Sequence, residues 1–310
     1  MLLLTVVVAA VAIAAWQVVH RSSLLVRRWS ASSFPRRGAG SLSMRDSGTT
    51  GHPNEEVVVL LHGLGATGDY FGAFYDGLSR QRRVLIFDLL GFGRSLDEDR
   101  QDFEVDDHVA ALDEALVTLG LGESTVILAA HSMSAAIALT WADRHRDRVG
   151  HVYLWGAPVY RDESAAHAVR QEYGLMSRLF VLDTKWAERA CRLNCINRDV
   201  SGGVMAALSP RWPTKVSSDV SRHTWPAYQS SLRSLVLHFD WTAVLPARVP
   251  LTFFHGADDP IGDQACIAEL AGDAELVEVA SADHHIALQH PELLFDALGA
   301  TPGEPTATSP

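Results

Sequence analysis

The sequence predicts an α/β fold: a mostly parallel, doubly wound sheet with a helical cap inserted between two of its strands. Three observations carry this. Short, continuous apolar runs recur along the chain, as strands buried on both faces require. An amphipathic helical pattern lies between the second and third of them. A long segment late in the chain then breaks the alternation and reads as helical throughout.

The first run is Val57-Val58-Val59-Leu60-Leu61, and Val84-Leu85-Ile86-Phe87 is the second. Between that run and the third, Val126-Ile127-Leu128-Ala129, the residues Val105, Val109, Leu112, Leu116 and Leu119 recur at spacings of four and three, one face of a helix. Val152-Tyr153-Leu154-Trp155 and Leu251-Thr252-Phe253-Phe254 complete the set. Strands alternating with helices at this spacing imply a parallel sheet covered on both faces, with the site in loops at the strands' carboxyl ends. The core is expected over 55–158 and 246–300. Residues 159–245 hold Trp186, Trp212, Trp225 and Trp241 without a convincing buried strand, and read as the cap.

The ends read differently. Leu2 to Val19 carries no charge, and as a helix it is about 27 Å long, just enough for a bilayer core. No basic n-region precedes it, while arginines follow it, so residues 1–20 are expected to be an uncleaved anchor with the catalytic domain cytoplasmic; a cleaved export signal is the alternative. Residues 21–54, rich in Ser, Arg and Gly, read as a basic flexible linker, and 301–310 as a disordered tail. The net charge of -11 argues against nucleic acid as a partner; residues 1–50 hold six arginines against one acid, leaving the remainder at -16. The three cysteines describe no disulfide framework, and Cys191 and Cys195 read as packed thiols on one helix face.

The chemistry is expected where the third run ends, at Ala129-Ala130-His131-Ser132-Met133-Ser134-Ala135. An apolar strand entering a serine and leaving through small residues reads as a nucleophile elbow, which exposes a hydroxyl to a neighbouring base. Leu61-His62-Gly63-Leu64-Gly65 follows the first strand, and its turn offers the N–H of Leu64 as one oxyanion donor, with the N–H of Met133 as the other. In Gly256-Ala257-Asp258-Asp259-Pro260, Asp259 is the preferred orienting acid and Asp258 the runner-up. In Asp283-His284-His285, His284 is the preferred general base, with His285 as alternative. His62 and His131 read as loop organisers and Asp88 as a turn anchor. No cofactor is expected and no metal: His284, His285 and His290 lie close together, but no Cys or carboxylate joins them at a zinc spacing.

The motifs HGLG at 62–65, DLLGFGRS at 88–95, AHSMS at 130–134, GADDP at 256–260 and DHHIALQHPE at 283–292 resemble those of fold-1 α/β-hydrolases, over residues 56–157 and 246–298. The order Ser132, Asp259, His284 is that family's triad order. The resemblance implies a serine hydrolase that cleaves carboxylic esters, lipophilic ones given the anchor and the aromatic cap, through an acyl-serine. Family members that use an aspartate nucleophile, the dehalogenases and epoxide hydrolases, are disfavoured by Ser132. Acyl transfer or C–C bond hydrolysis on the same triad, and a catalytically silent member that binds a lipid or partner, are the alternatives. The family has glycine where this chain has Ala130 and Ser134, and usually before the histidine, where this chain has Asp283.

Overall fold

The computed structural model describes residues 29–49, 56–166 and 185–299. Eight strands form one sheet: β1 (Arg36–Ala39), β2 (Leu42–Asp46), β3 (Val57–Leu61), β4 (Arg83–Asp88), β5 (Val126–His131), β6 (Val149–Trp155), β7 (Leu251–Gly256) and β8 (Glu275–Val279). Their order is β1-β2-β4-β3-β5-β6-β7-β8. The β1/β2 and β2/β4 pairs are antiparallel and every other pair is parallel. The five apolar runs read from the sequence are β3 to β7, and their alternation with helices is the doubly wound arrangement expected.

Strand β3 shows why those runs are continuous. Val57, Val59 and Leu61 enter one buried cluster, with Val109, Leu112 and Leu116 of α1 (Val105–Thr118) and the small residues of α2 (Ser134–Arg144). Val58 and Leu60 point the other way, against Tyr70, Phe71 and Tyr75 and against Leu294 and Leu298 of α9 (Pro291–Gly299). Each such aliphatic side chain contributes about 1.5–3 kcal/mol by leaving water.

Between β6 and β7 the described chain is helical: α3 (Lys185–Ile196), α4 (Arg198–Leu208), α5 (Thr214–Asp219) and α6 (Trp225–Leu232), the last followed by a π turn at Arg233–Leu237. After β7 come α7 (Gln264–Leu270), α8 (Ile286–Gln289) and α9. The Thr224 hydroxyl caps α6 by accepting from the N–H of Ala227 at 3.2 Å. Cys191 and Cys195 of α3 lie 3.8 Å apart at sulfur; Cys191 Sγ is 3.3 Å from His223 Nε2, and the Cys195 thiol donates to His223 O at 3.0 Å.

Part of the expected linker is instead sheet. Residues 36–46 form the β1–β2 hairpin, with Leu42 and Met44 turned into the core. Its polar residues are held by ion pairs. Arg83 grips Asp46 through two bonds of 3.0 and 2.8 Å, and Arg36 bridges Asp88 at 2.9 Å and Asp69 at 2.7 Å. Arg45 Nε and Lys215 Nζ also reach Asp69, at 2.8 and 3.0 Å. Burial alone raises the Asp69 pKa, but Arg36, Lys215 and Arg45 outweigh it and hold the carboxyl at about 2. The expected anchor (1–20) and tail (301–310) lie outside the described residues. Among the described residues no helix is long and apolar enough to cross a membrane.

Candidate active site

Ser132 sits between the end of β5 and the start of α2 with a φ of 53°, a left-handed conformation rare outside glycine. The turn is pinned on both sides: Ser132 N–H donates to Trp155 O at 3.0 Å, and Ser132 O accepts from Ala135 N–H at 2.9 Å. The serine is 9% exposed, and its hydroxyl makes no hydrogen bond among the described residues. A strained turn of this kind persists only where its surroundings over-determine it.

The two shoulders that lack glycine are accommodated. Ala130 is fully buried, in register with Leu61 on one side and Leu154 on the other. Ser134 is fully buried too, and its hydroxyl lies 2.9 Å from both Leu61 O and His131 O. A side chain where the family has hydrogen thus fastens the end of β3 to the elbow.

The residues expected as acid and base come together. His284 Nδ1 is 2.9 Å from Asp259 Oδ2. A carboxylate only accepts, so Nδ1 carries the proton of this bond, and Nε2 is the ring nitrogen that Asp259 does not engage. The Asp259 side chain is fully buried, that of His284 13% exposed. Asp259 Oδ1 accepts from Ile261 N–H at 2.8 Å, which fixes the carboxylate. Asp258, the runner-up acid, is exposed. His285, the alternative base, faces elsewhere: its Nδ1 is 3.4 Å from Tyr70 OH and its ring meets Trp212 edge-on at 4.3 Å. Desolvation, with His284 beside it, pushes its pKa down to about 3, so it stays neutral. Asp283 caps its own loop, its Oδ1 accepting from His285 N–H at 2.8 Å while its N–H donates to Gln289 Oε1 at 2.9 Å.

Two contacts place Ser132 and His284 at the same edge of the sheet. Trp155, which receives the Ser132 N–H, is followed by Gly156, where a Cβ would stand 2.8 Å from His284 Nδ1. His131 reaches across, its Nε2 2.9 Å from His284 O and the two rings 4.8 Å apart. Desolvation, with His284 and His285 beside it, holds the His131 imidazolium far below the usual histidine range. Its ring stacks on Tyr70 at 4.8 Å.

On the opposite side lies the loop after β3. His62 Nε2 accepts from Leu89 N–H at 2.9 Å, so its Nδ1 carries the proton and donates to Gly63 O at 2.8 Å. His62 and His131 are therefore loop organisers. A Cβ on Gly63 would stand 2.8 Å from His131 Nδ1 and 3.1 Å from Ser132 Cβ, so only glycine lets this loop reach the elbow. The N–H groups of Leu64 and Met133 donate no hydrogen bond among the described residues. Asp88 anchors its turn, accepting from Gly68 N–H at 2.7 Å and Arg94 N–H at 3.0 Å. Sequence reasoning missed Gly156 and Tyr70; the glycine ending the Val152–Trp155 run was the available signal for the first.

Above this edge the cap contributes an apolar cluster of Tyr160, Trp225, Tyr228, Leu232 and Leu237, against which Leu64 packs. No group of three metal-ligating side chains able to hold an ion occurs among the described residues.

The profile of the alpha/beta hydrolase fold family matches residues 56–291. The 1-acylglycerol-3-phosphate O-acyltransferase ABHD5 of Sus scrofa is 35% identical over 112 residues, 34% of this chain and 31% of that protein, so the match spans about a third of this relative. The (lyso)-N-acylphosphatidylethanolamine lipase of Mus musculus is 23% identical over 281 residues, 78% of this chain and 77% of that one. Among solved structures, a thermophilic esterase from Thermogutta terrifontis superposes with a TM-score of 0.60 at 19% identity, covering 85% of this chain and 96% of that one. The esterase RhEst1 from Rhodococcus sp. gives 0.61 at 20% identity, over 85% and 96%.

Proposed function

We propose that this chain, which belongs to the alpha/beta hydrolase fold family, is a serine hydrolase that cleaves lipophilic carboxylic esters through an acyl-Ser132 intermediate. The observation that carries the reading is the Asp259–His284 bond of 2.9 Å at the sheet edge where Ser132 stands in its left-handed turn. In the proposed cycle Ser132 Oγ attacks the ester carbonyl as its proton passes to His284 Nε2. The oxyanion is received by the N–H groups of Leu64 and Met133, and Asp259 stabilises the imidazolium. Collapse breaks the bond to the alcohol, which takes the proton from His284. Water, deprotonated by the same imidazole, then releases the acid and restores the serine.

A lipophilic substrate is supported by the aromatic and aliphatic cap cluster that meets Leu64 beside the donors, with Tyr228 Cε2 3.9 Å from where a Gly65 Cβ would lie. The apolar run Leu2–Val19 supports a membrane-held enzyme, with the arginines after it favouring a cytoplasmic catalytic domain. Acyl transfer to an alcohol uses the same acyl-serine, and the partial match to an acyltransferase favours testing it. Labelling by a fluorophosphonate probe tests the nucleophile: wild type is expected to label and Ser132→Ala to remain blank, while equal labelling of both removes Ser132 from the mechanism. Adding a competing alcohol then separates transfer from hydrolysis by product.

A further inference from the structure

Two thiols and one histidine meet in the cap, and the proposed cycle uses none of them. Their spacing puts Cys191 and Cys195 one helical turn apart, so both side chains leave the same face of α3. The sulfurs lie 3.8 Å apart, and both find a polar partner on a single residue, His223. Cys191 Sγ is 3.3 Å from His223 Nε2, and the Cys195 thiol donates to His223 O at 3.0 Å. One residue thus holds the two thiols side by side. Cys195 is half-buried and Cys191 only 9% exposed, so solvent reaches the pair from the Cys195 side. The third cysteine, Cys266, is 2% exposed and lies apart in α7.

A thiol with a second thiol in contact has a chemistry that a solitary one lacks. Once oxidised to a sulfenic acid it condenses with its neighbour to a disulfide, which a reductant restores, instead of running on to irreversible acids. The bond needs β-carbons about 3.5–4.5 Å apart, against about 5–6 Å for side chains four apart on a helix. Closure therefore draws in the last turn of α3 by about 1–2 Å. That turn ends at Ile196, one residue past Cys195, where a helix frays most readily. Desolvation pushes the His223 pKa down to about 4, so its ring is neutral, and with Nε2 bare it accepts the Cys191 proton.

We infer that Cys191 and Cys195 form a thiol oxidation site, a dithiol that a hydroperoxide converts to a disulfide within α3. Cys195 Sγ attacks the terminal oxygen of the hydroperoxide; the O–O bond breaks, leaving a Cys195 sulfenic acid and an alcohol, or water when the oxidant is hydrogen peroxide. Cys191 Sγ, its proton passing to His223 Nε2, then displaces the hydroxyl from Cys195. The S–S bond forms as the S–O bond breaks, and the hydroxide leaves with that proton as water. The two thiols lose two electrons and the hydroperoxide gains them. Closure also takes both thiols from His223, whose backbone bridges Phe92 and whose ring lies 5.0 Å from that of Tyr228. Tyr228 belongs to the cap cluster that meets Leu64, so the event reaches the roof of the candidate active site. The inference goes beyond the ester-cleaving reading, and neither needs the other.

The test treats the full chain with a small molar excess of hydrogen peroxide, quenches with catalase, alkylates the remaining thiols with N-ethylmaleimide in denaturant and maps tryptic peptides by mass spectrometry. Trypsin cuts after Arg192, between the two cysteines, so the bridge reads as peptide 190–192 joined to peptide 193–198. The joined pair is expected to form at least about tenfold faster than any oxidation of Cys266, and to vanish with dithiothreitol. Cys191→Ser is expected to leave Cys195 as a sulfenic acid that dimedone traps, and Cys195→Ser to leave Cys191 unoxidised over the same time. Absence of the joined pair would overturn the inference, whether the thiols stay free or Cys195 runs on to a sulfinic acid. A disulfide joining two copies of the chain, or oxidation of Cys266 at an equal rate, would overturn it too.

Discussion

Ser134 stands where relatives of this fold carry glycine, and its replacement separates a tuned elbow from a crippled one. Its buried hydroxyl lies 2.9 Å from Leu61 O and from His131 O. Removing it in Ser134→Ala deletes one net hydrogen bond and leaves two buried carbonyls less satisfied, about 1.5 kcal/mol together. For a domain of this size that lowers Tm by about 3–6 °C. Ser134→Gly adds the backbone freedom of glycine in a helix, about 1 kcal/mol more, for a total fall of about 5–10 °C. Neither change touches the Ser132 backbone pins or the Asp259–His284 bond, so ester hydrolysis is expected to stay within about twofold of wild type. Thermal unfolding followed by circular dichroism, alongside kcat/KM on a p-nitrophenyl ester, reads both quantities. A large rise in kcat/KM on restoring glycine, or no loss of Tm, would refute the argument that this hydroxyl is an accommodated staple.

Three further outcomes are expected. Asp259→Asn should lower kcat by about 10³–10⁴ by disordering the His284 tautomer, whereas Asp258→Asn, at an exposed carboxylate, should leave it within about twofold; equal effects would reassign the acid. Gly63→Ala should lower kcat/KM by at least about tenfold with the fold retained, because the new methyl displaces the loop from His131 and Ser132; unchanged rates would remove this loop from the oxyanion site. Asp69, held at about 2 against an ordinary 3.8, stabilises the folded state fully above pH 4 and loses that contribution as pH falls toward 2. Asp69→Asn should therefore cost about 2 kcal/mol in urea unfolding at pH 7, with the gap from wild type closing between pH 4 and 2; a constant gap would refute the linkage.

The parallel part of the sheet was legible because a strand buried on both faces has no polar positions to disguise it, as Val57–Leu61 shows. The edges were not. In β2 the inward residues Leu42 and Met44 alternate with polar ones, and the last inward residue is Asp46, buried only because Arg83 meets it from β4. A charge in a core position looks like linker until its partner, 37 residues away, is brought alongside. Strand β8, whose residues Glu275 and Glu278 interrupt the apolar ones, escaped for the same reason. At the site, the order of motifs pointed to Asp259 and His284; that these two share a hydrogen bond while Asp258 faces water depends on backbone direction in two loops 25 residues apart. The role of Asp283 was invisible in sequence, because whether a carboxylate faces the next imidazole or caps its own turn depends on a backbone direction that composition does not encode.

The left-handed backbone at Ser132 has a consequence for the protein's history and handling. A residue with a β-carbon at a φ of 53° carries strain of about 1–3 kcal/mol, which glycine at that position would release. A direct way to release that strain is therefore Ser132→Gly, which erases the proposed nucleophile. On the proposed mechanism, screening for thermal stability alone drifts toward an inert protein, and only simultaneous demand for turnover keeps the strained serine in place.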